Sequence, residues 1–238
     1  MSDVIQMMWI GPRLSSMEQL AVRSFLANGH DVHLYTYGDV EGVPEGTTVR
    51  DGNEILPESR IFQYRDFASY AGFSNYFRYR LLLLRGGWWV DTDTICLREL
   101  TELEKSDHVF ATERHEATVY VSSGIIKAPP ASAAMEWAWN ACDARDPSTI
   151  RWGETGPRLL GEAVKRFGLE SSLQPVEAFC PIGYADWDRI LDPDGPPLPD
   201  APYTVHLWNE MWRRAGRDKD ARYDPRCLYE RLRYRYGL

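Results

Sequence analysis

Long apolar runs are missing from this 238-residue chain. The longest aliphatic stretch is Leu81–Leu84, far short of the ~18 residues a membrane-spanning helix needs. The opening Met1-Ser-Asp-Val-Ile-Gln has neither the basic start nor the apolar core of a secretory signal, so a cytoplasmic protein is expected. Cysteine is scarce. Cys96, Cys142, Cys180 and Cys227 stand 38 to 47 residues apart with no C-x-x-C pair, which excludes a zinc knuckle and a dithiol redox site and leaves reduced, buried thiols. Positive charge is also short, 27 Lys and Arg against 35 Asp and Glu, and the formal charge of −8 opposes a nucleic-acid partner. There is no internal repeat and no low-complexity tract. What is present, 44% hydrophobic residues over this length, suits one globular domain spanning 1–238 whose core needs no disulfide.

The pattern along the chain is α/β. Val4–Ile10 reads as a buried strand closed by Gly11-Pro12, then a helix capped by Ser15 or Ser16 runs to about Leu26, then a strand covers Val32–Tyr37. This β-α-β opening predicts a mostly parallel sheet flanked by helices. Residues 39–57 read as loop. A helix is expected over Asp66–Arg85, stopped by Gly86-Gly87, with Trp88-Trp89-Val90 a strand directly after it. Further strands are expected at Val109–Ala111, Val119–Ile126, Val176–Ile182 and Tyr203–Trp208, and helices at Ala131–Ala144 and Glu154–Phe167, the second interrupted near its start by Gly156-Pro157. Asp192–Pro202, with five prolines, reads as an exposed loop.

Chemistry concentrates behind the Trp88–Val90 strand. Asp91-Thr92-Asp93 places two carboxylates one residue apart at a strand end, where they can converge on one hard divalent cation. The carboxyl ends of strands in an open α/β sheet are also where ligands bind. Three other D-x-D triplets exist, Asp186/Asp188, Asp192/Asp194 and Asp218/Asp220, but none follows a strongly apolar strand. Upstream, Asn75 and Arg78 stand three apart and so share one helix face. The Gly pair brings that face close to the carboxylates, so an amide, a guanidinium and two acids share a neighbourhood suited to a metal, a diphosphate and sugar hydroxyls.

The stretch Phe73-Ser-Asn-Tyr-Phe-Arg78 through Gly86-Gly87-Trp-Trp-Val-Asp91-Thr-Asp93 resembles the signature of DXD glycosyltransferases, in particular glycosyltransferase family 32. Three further segments resemble that family in order: Trp9-Ile10-Gly11, Thr155-Gly156-Pro157, and His206-Leu-Trp208-Asn209-Glu-Met-Trp212. The resemblance implies a GT-A-like fold and a metal-dependent transferase using Mn2+ or Mg2+ and a nucleotide-sugar donor, UDP-sugar ahead of GDP-sugar. It also implies a saccharide or lipid-linked acceptor, a place in polysaccharide biosynthesis, and transfer with retention. By the same resemblance Asp93, Asp91 and His206 are the metal residues, and Asp91, Asp93 and Arg78 the catalytic ones. Trp9, Asn75, Arg78, Asp91, Trp208, Asn209 and Trp212 would hold the nucleotide sugar. Asn75 departs from the pattern, which has an acid there.

Two other readings fit parts of the sequence. Trp88 through Ile95 also resembles the motif of haloacid-dehalogenase-like phosphatases, with Asp91 as nucleophile, Lys127 or Lys165 as the required lysine and Asp186/Asp188 as the acidic pair. A non-catalytic carbohydrate-binding relative is the other. Residues 213–238 carry nine Lys and Arg against four acids, so a basic C-terminal helix opened by Pro225 is expected, docked on an acidic body or in peripheral contact with anionic lipid at the inner membrane face.

Overall fold

In the computed structural model, which describes residues 4–65, 68–195 and 197–238, six strands form one sheet. Strand β1 (Ile5–Met8) pairs in parallel with β2 (Val32–Thr36), and β2 with β3 (Thr48–Asp51). On its other side β1 pairs in parallel with β4 (Gly87–Val90). Beyond β4 the direction reverses. A hairpin of β6 (Val109–His115) and β7 (Thr118–Ala128) joins through β7, giving the order β3-β2-β1-β4-β7-β6. The mostly parallel sheet expected from the β-α-β opening is therefore present. A separate two-stranded ribbon pairs β5 (Thr94–Cys96) with β8 (Thr204–His206).

Helices cover both faces. On one side α1 (Ser16–Ala27) packs with the ribbon and with the C-terminal helices, α5 (Val176–Phe179), α6 (Asn209–Arg214) and α7 (Leu228–Arg235). On the other lie α2 (Ala71–Arg85), α3 (Ala133–Asp143) and α4 (Leu159–Arg166). Strand β4 is buried on both faces, which is why it reads as a continuous apolar run. Trp88 enters the α1-side core, and Trp89 enters the α2-side core. Ser15, one of the two caps expected, caps α1, and Glu18 completes a capping box.

Two expectations need correction. Residues 39–57 contain β3, an exposed edge strand whose Thr-Val-Arg-Asp sequence has no apolar face. Val176–Ile182 is not a strand: Pro175 opens the short α5 there. Glu154–Phe167 is interrupted at Gly156-Pro157, as expected, and is a regular helix from Leu159. Met1–Asp3, the expected helix start at Asp66-Phe67, and Pro196 of the proline-rich loop lie outside the described residues. All four cysteines are unpaired and buried. Among the described residues no helix is long and apolar enough to cross a membrane.

The turn from α2 into β4 sets where the carboxylates emerge. Gly86 has φ +65°, and a Cβ there would lie 2.5 Å from Pro130 atoms. The buried Gln6 side chain donates to the Gly86 carbonyl at 2.7 Å and ties this turn to β1. Gly29, in contrast, has φ +83° with open space around it. Gly86→Ala is therefore expected to cost more than about 3 kcal/mol, and Gly29→Ala about 1 kcal/mol from backbone strain alone, in urea denaturation.

Candidate active site

The site begins where β4 ends. The Asp91 amide donates to the Gly124 carbonyl of β7 at 2.8 Å, continuing the ladder one residue past the strand. Its Oδ1 then receives the Trp89 indole N–H at 2.9 Å and the Arg78 guanidinium at 3.1 Å. Arg78 is itself buried. It donates to the Ser123 carbonyl and the Ser74 hydroxyl, and its guanidinium lies 4.9 Å from the centre of the Trp89 ring. This Arg is fixed from three directions, so Asp91 is held in one orientation. Burial pushes the Asp91 carboxyl above the usual range, and Arg78 opposes that rise.

Asp93 is placed by the ribbon. β5 starts at Thr94, which pairs with His206 of β8, and the Leu207 amide donates to the Asp93 carbonyl at 2.8 Å. As a result the Asp93 Oδ1 lies 2.9 Å from His206 Nε2, and its Oδ2 accepts the Asn209 amide at 2.7 Å. Burial would raise the Asp93 carboxyl, but the charge and hydrogen bond of His206 and the Asn209 amide outweigh it, and the net shift is down. Burial also works against a charged His206, and Asp93 overcomes it, so the imidazole is shifted up. The ligand atoms of Asp91, Asp93 and His206 all lie within 4.8 Å of one another.

These residues fit a divalent cation. Two carboxylate donors and one imidazole suit a hard to borderline ion such as Mn2+ or Mg2+. His206 Nδ1 is buried with no hydrogen-bond partner, an arrangement that normally calls for a ligand or water. The six carboxylates of the other D-x-D triplets are all exposed.

A cleft of about 570 Å³ opens over this cluster and takes in Trp9, Asn75, Arg78, Trp208 and Asn209. Trp9 stands just past β1 with its indole N–H bonded to the Arg13 carbonyl at 3.1 Å. Asn75 is buried, its Nδ2 3.3 Å from Thr155 Oγ1, which links α2 to the Thr155-Gly156-Pro157 segment. A Cβ on Gly156 would sit 3.1 Å from the Asn75 amide, a tight contact that glycine avoids. Trp208 has φ 58°, uncommon for a bulky residue, and this left-handed turn redirects the chain from β8 into α6. Its indole donates to the Ile182 carbonyl at 2.8 Å, and its ring lies 4.0 Å from that of His206. Asn209 reaches the site through its backbone amide.

Trp212 does not reach the cleft, contrary to the expectation that it holds the nucleotide sugar. It is fully buried, donates to the Leu207 carbonyl at 2.8 Å and packs edge-on against Tyr229 with ring centres 4.8 Å apart. The helical spacing puts Trp212 one turn from Trp208 and on the core side of α6. The phosphatase reading also fails on geometry. Lys127 donates to the carbonyls of Glu104 and Ser106, Lys165 is exposed on α4, and Asp186 and Asp188 are exposed as well.

The hairpin contributes residues that motif reasoning missed. Ser122, Ser123 and Gly124 of β7 and Glu113 of β6 all line the cleft. A Cβ on Gly124 would lie 3.2 Å from Asp91 Oδ2. A glycine inside an otherwise good strand signals such close approach, and that cue was available in Val-Ser-Ser-Gly-Ile-Ile. Trp152, Tyr184 and Met211 complete the mouth, and no local pattern marks them.

With this geometry in hand, the comparisons with known proteins are specific. Residues 31–111 match the family described as the glycosyltransferase sugar-binding region containing a DXD motif. That segment includes α2, β4 and both aspartates. No curated protein matches the chain. Among solved structures, PaToxG glycosyltransferase is similar at a TM-score of 0.50 and 16% identity, over 71% of this chain and 72% of that one. The apo form of the glycosyltransferase GlyE of Streptococcus pneumoniae TIGR4 is similar at a TM-score of 0.50 and 12% identity, over 99% of this chain. This chain spans 64% of GlyE, less than two thirds of its length. The fold is that of GT-A glycosyltransferases, and the family match takes in the DXD segment. Both findings are consistent with a transferase enzyme.

The placement of Trp212 can be checked directly. Trp212→Phe removes the donor to Leu207 O in a buried site and is expected to cost about 1–3 kcal/mol in denaturant unfolding.

Proposed function

We propose that this chain, as a single domain over 1–238, is a metal-dependent glycosyltransferase acting on a nucleotide-sugar donor, a UDP-sugar ahead of a GDP-sugar. It would pass the sugar to a saccharide or lipid-linked acceptor with retention, in the cytoplasm and in polysaccharide biosynthesis. One observation carries the reading: the β5–β8 pairing sets His206 beside Asp93 and Asp91 at the floor of a cleft that also holds Arg78 and Asn75.

The charges fit the reaction. Breaking the anomeric C–O bond leaves negative charge on the departing nucleotide diphosphate and positive character on the sugar carbon. A divalent ion held by Asp93 and His206, with Asp91 beside it, supplies Lewis-acid stabilisation of that leaving group when bound. Arg78 adds a fixed cation whose position needs no rearrangement during the reaction. Asn75, oriented by Thr155, offers its amide to donor-sugar hydroxyls. Trp9 provides an aromatic face at the end of β1 for the base. Trp208, packed on His206, shields the cluster from water, which a transferase must do to limit donor hydrolysis.

The C-terminal basic residues favour docking over lipid contact. Arg213 and Arg214 pair with Glu210, Lys219 with Glu18, Arg222 and Arg233 with Glu230, and Arg226 with Asp224 and Asp194. Arg235 donates to the Leu97 carbonyl. Most of the tail's charge is therefore already matched by acids of the chain, and no membrane contact is part of the proposal. The fit of Asp91, Asp93 and His206 to an ion that could meet a departing diphosphate favours a transferase over a merely carbohydrate-binding relative.

Two measurements test the proposal. Calorimetric titration with UDP and with GDP should give tight binding only with manganese present; equal affinity without it removes the metal from the account. Asp93→Asn keeps the side chain's size but takes one charge from the cluster. It is expected to lower manganese-dependent UDP release from UDP-sugars by at least about 100-fold, with a smaller loss in Asp91→Asn, and wild-type rates in Asp93→Asn would contradict the assignment.

A further inference from the structure

Two carboxylates line the cleft outside the ion cluster, Glu113 and Glu210; Glu210 is paired with Arg213 and Arg214, and Glu113 is left without a role. Glu113 stands on β6, opposite Tyr120 of β7, and reaches the same cleft as Asp91 and His206. It does not belong to the ion cluster, whose three members are Asp91, Asp93 and His206. The charges of both His206 and Asp91 act on it. The neighbouring Arg114 turns outward to pair with Glu177 at 3.3 Å, so it supplies no counter-charge inside the cleft. Burial in this position raises the Glu113 carboxyl above the usual range. Retaining a half-buried acid beside two others has a cost that an apolar residue would avoid.

Charge decides what such a group can meet. A diphosphate is an anion, and a carboxylate would repel it. An ionised carboxylate is purely a hydrogen-bond acceptor, so its natural partner is a neutral hydroxyl. The donor side of the cleft is already furnished, by Asn75 and Arg78 from α2 and by Asp91 from β4. Glu113 comes from β6, the far edge of the sheet, beyond β4 and β7 as seen from β1. Next to it stands an aromatic wall. His115, two residues along the same strand, lies against Tyr184 with ring centres 4.9 Å apart, and Tyr184 packs edge-on to Trp208 at 6.2 Å. Tyr184 lines the cleft as well. An aromatic face beside a hydroxyl-seeking carboxylate is the combination that holds a sugar ring, one group taking its apolar C–H face and the other its hydroxyls.

We infer that Glu113 and Tyr184 form the acceptor subsite of this cleft, with Glu113 accepting a hydrogen bond from a hydroxyl of an uncharged saccharide. The inference rests on the transferase reading above. It narrows the acceptor to a sugar that presents neutral hydroxyls at this end.

The test compares wild type with Glu113→Gln and Tyr184→Ala. UDP affinity in the presence of manganese is measured by calorimetry. UDP release is then followed from UDP-glucose and UDP-galactose, alone and with a panel of methyl glycosides and lactose, using the glycoside that most stimulates the wild type. The inference predicts that Glu113→Gln binds UDP within about twofold of wild type, while the ratio of glycoside-stimulated to unstimulated release falls at least about tenfold, as for a lost hydrogen bond to a charged group. Tyr184→Ala should raise the KM for the glycoside with UDP affinity retained. Undiminished stimulation in Glu113→Gln overturns the inference. So does a parallel loss of UDP affinity, which would assign Glu113 to the donor or the metal instead. Failure of the transferase reading looks different: the wild type would then bind no UDP with manganese and release none, and the inference would fall with its premise.

Discussion

The contact between Asp93 and His206 joins two parts of the chain that lie 113 residues apart in sequence. It exists because β5 and β8 form a ribbon of three residue pairs, and because Leu207 and Asn209 each donate a backbone amide to Asp93. Everything C-terminal to β8 helps to hold that ribbon in place. Trp212 locks α6 to Leu207, Tyr229 packs on Trp212, and the Tyr229 hydroxyl reaches the Lys219 carbonyl at 2.7 Å. Asp220 then caps the start of α1 through the Ser16 amide, while Lys219 pairs with the buried Glu18. The basic tail is thus a clasp between α1 and the ribbon. A buried ion pair such as Lys219–Glu18 adds little net stability, but removing one partner strands the other, so the clasp is specific.

The other half of the site depends on rigidity of a different kind. Arg78, Trp89 and Asp91 form one unit in which the indole, the guanidinium and the carboxylate each constrain the others. Its placement follows from the tight Gly86-Gly87 turn and from Gly124, which lets β7 pass close to Asp91. One carboxylate is thereby bound to a cation of the protein, and the other to an imidazole. The cluster can accept an ion without first collecting its ligands from solvent, which is the sense in which such a centre is preorganised.

Much of this was legible in the sequence because it is local. Trp88-Trp89-Val90 followed by Asp91-Thr92-Asp93 announces a doubly buried strand with acids at its end, and the spacing of Asn75 and Arg78 puts them on one helix face. The cap at Ser15 and the stop at Gly86 are likewise properties of a few neighbouring residues. His206 entered through resemblance rather than through any local rule, since its role depends on a long-range strand pairing. What the sequence hid has the same cause. β3 has no apolar face to betray it, Glu113 and Tyr184 reach the cleft only through the order of strands in the sheet, and Trp212 sits in a motif-like block while its side chain turns to the core. Periodicity could have separated Trp212 from Trp208 only if the left-handed turn at Trp208 had been known.

The central claim is that Asp91, Asp93 and His206 hold one divalent ion at the floor of the cleft. Anomalous diffraction at the manganese absorption edge, from crystals grown with UDP and manganese, tests it most directly. The account predicts one strong anomalous peak in direct contact with Asp93 and His206 and next to Asp91, with the diphosphate on its open side. A nucleotide bound in the cleft with no anomalous peak at these three residues, or with the peak elsewhere, would contradict it.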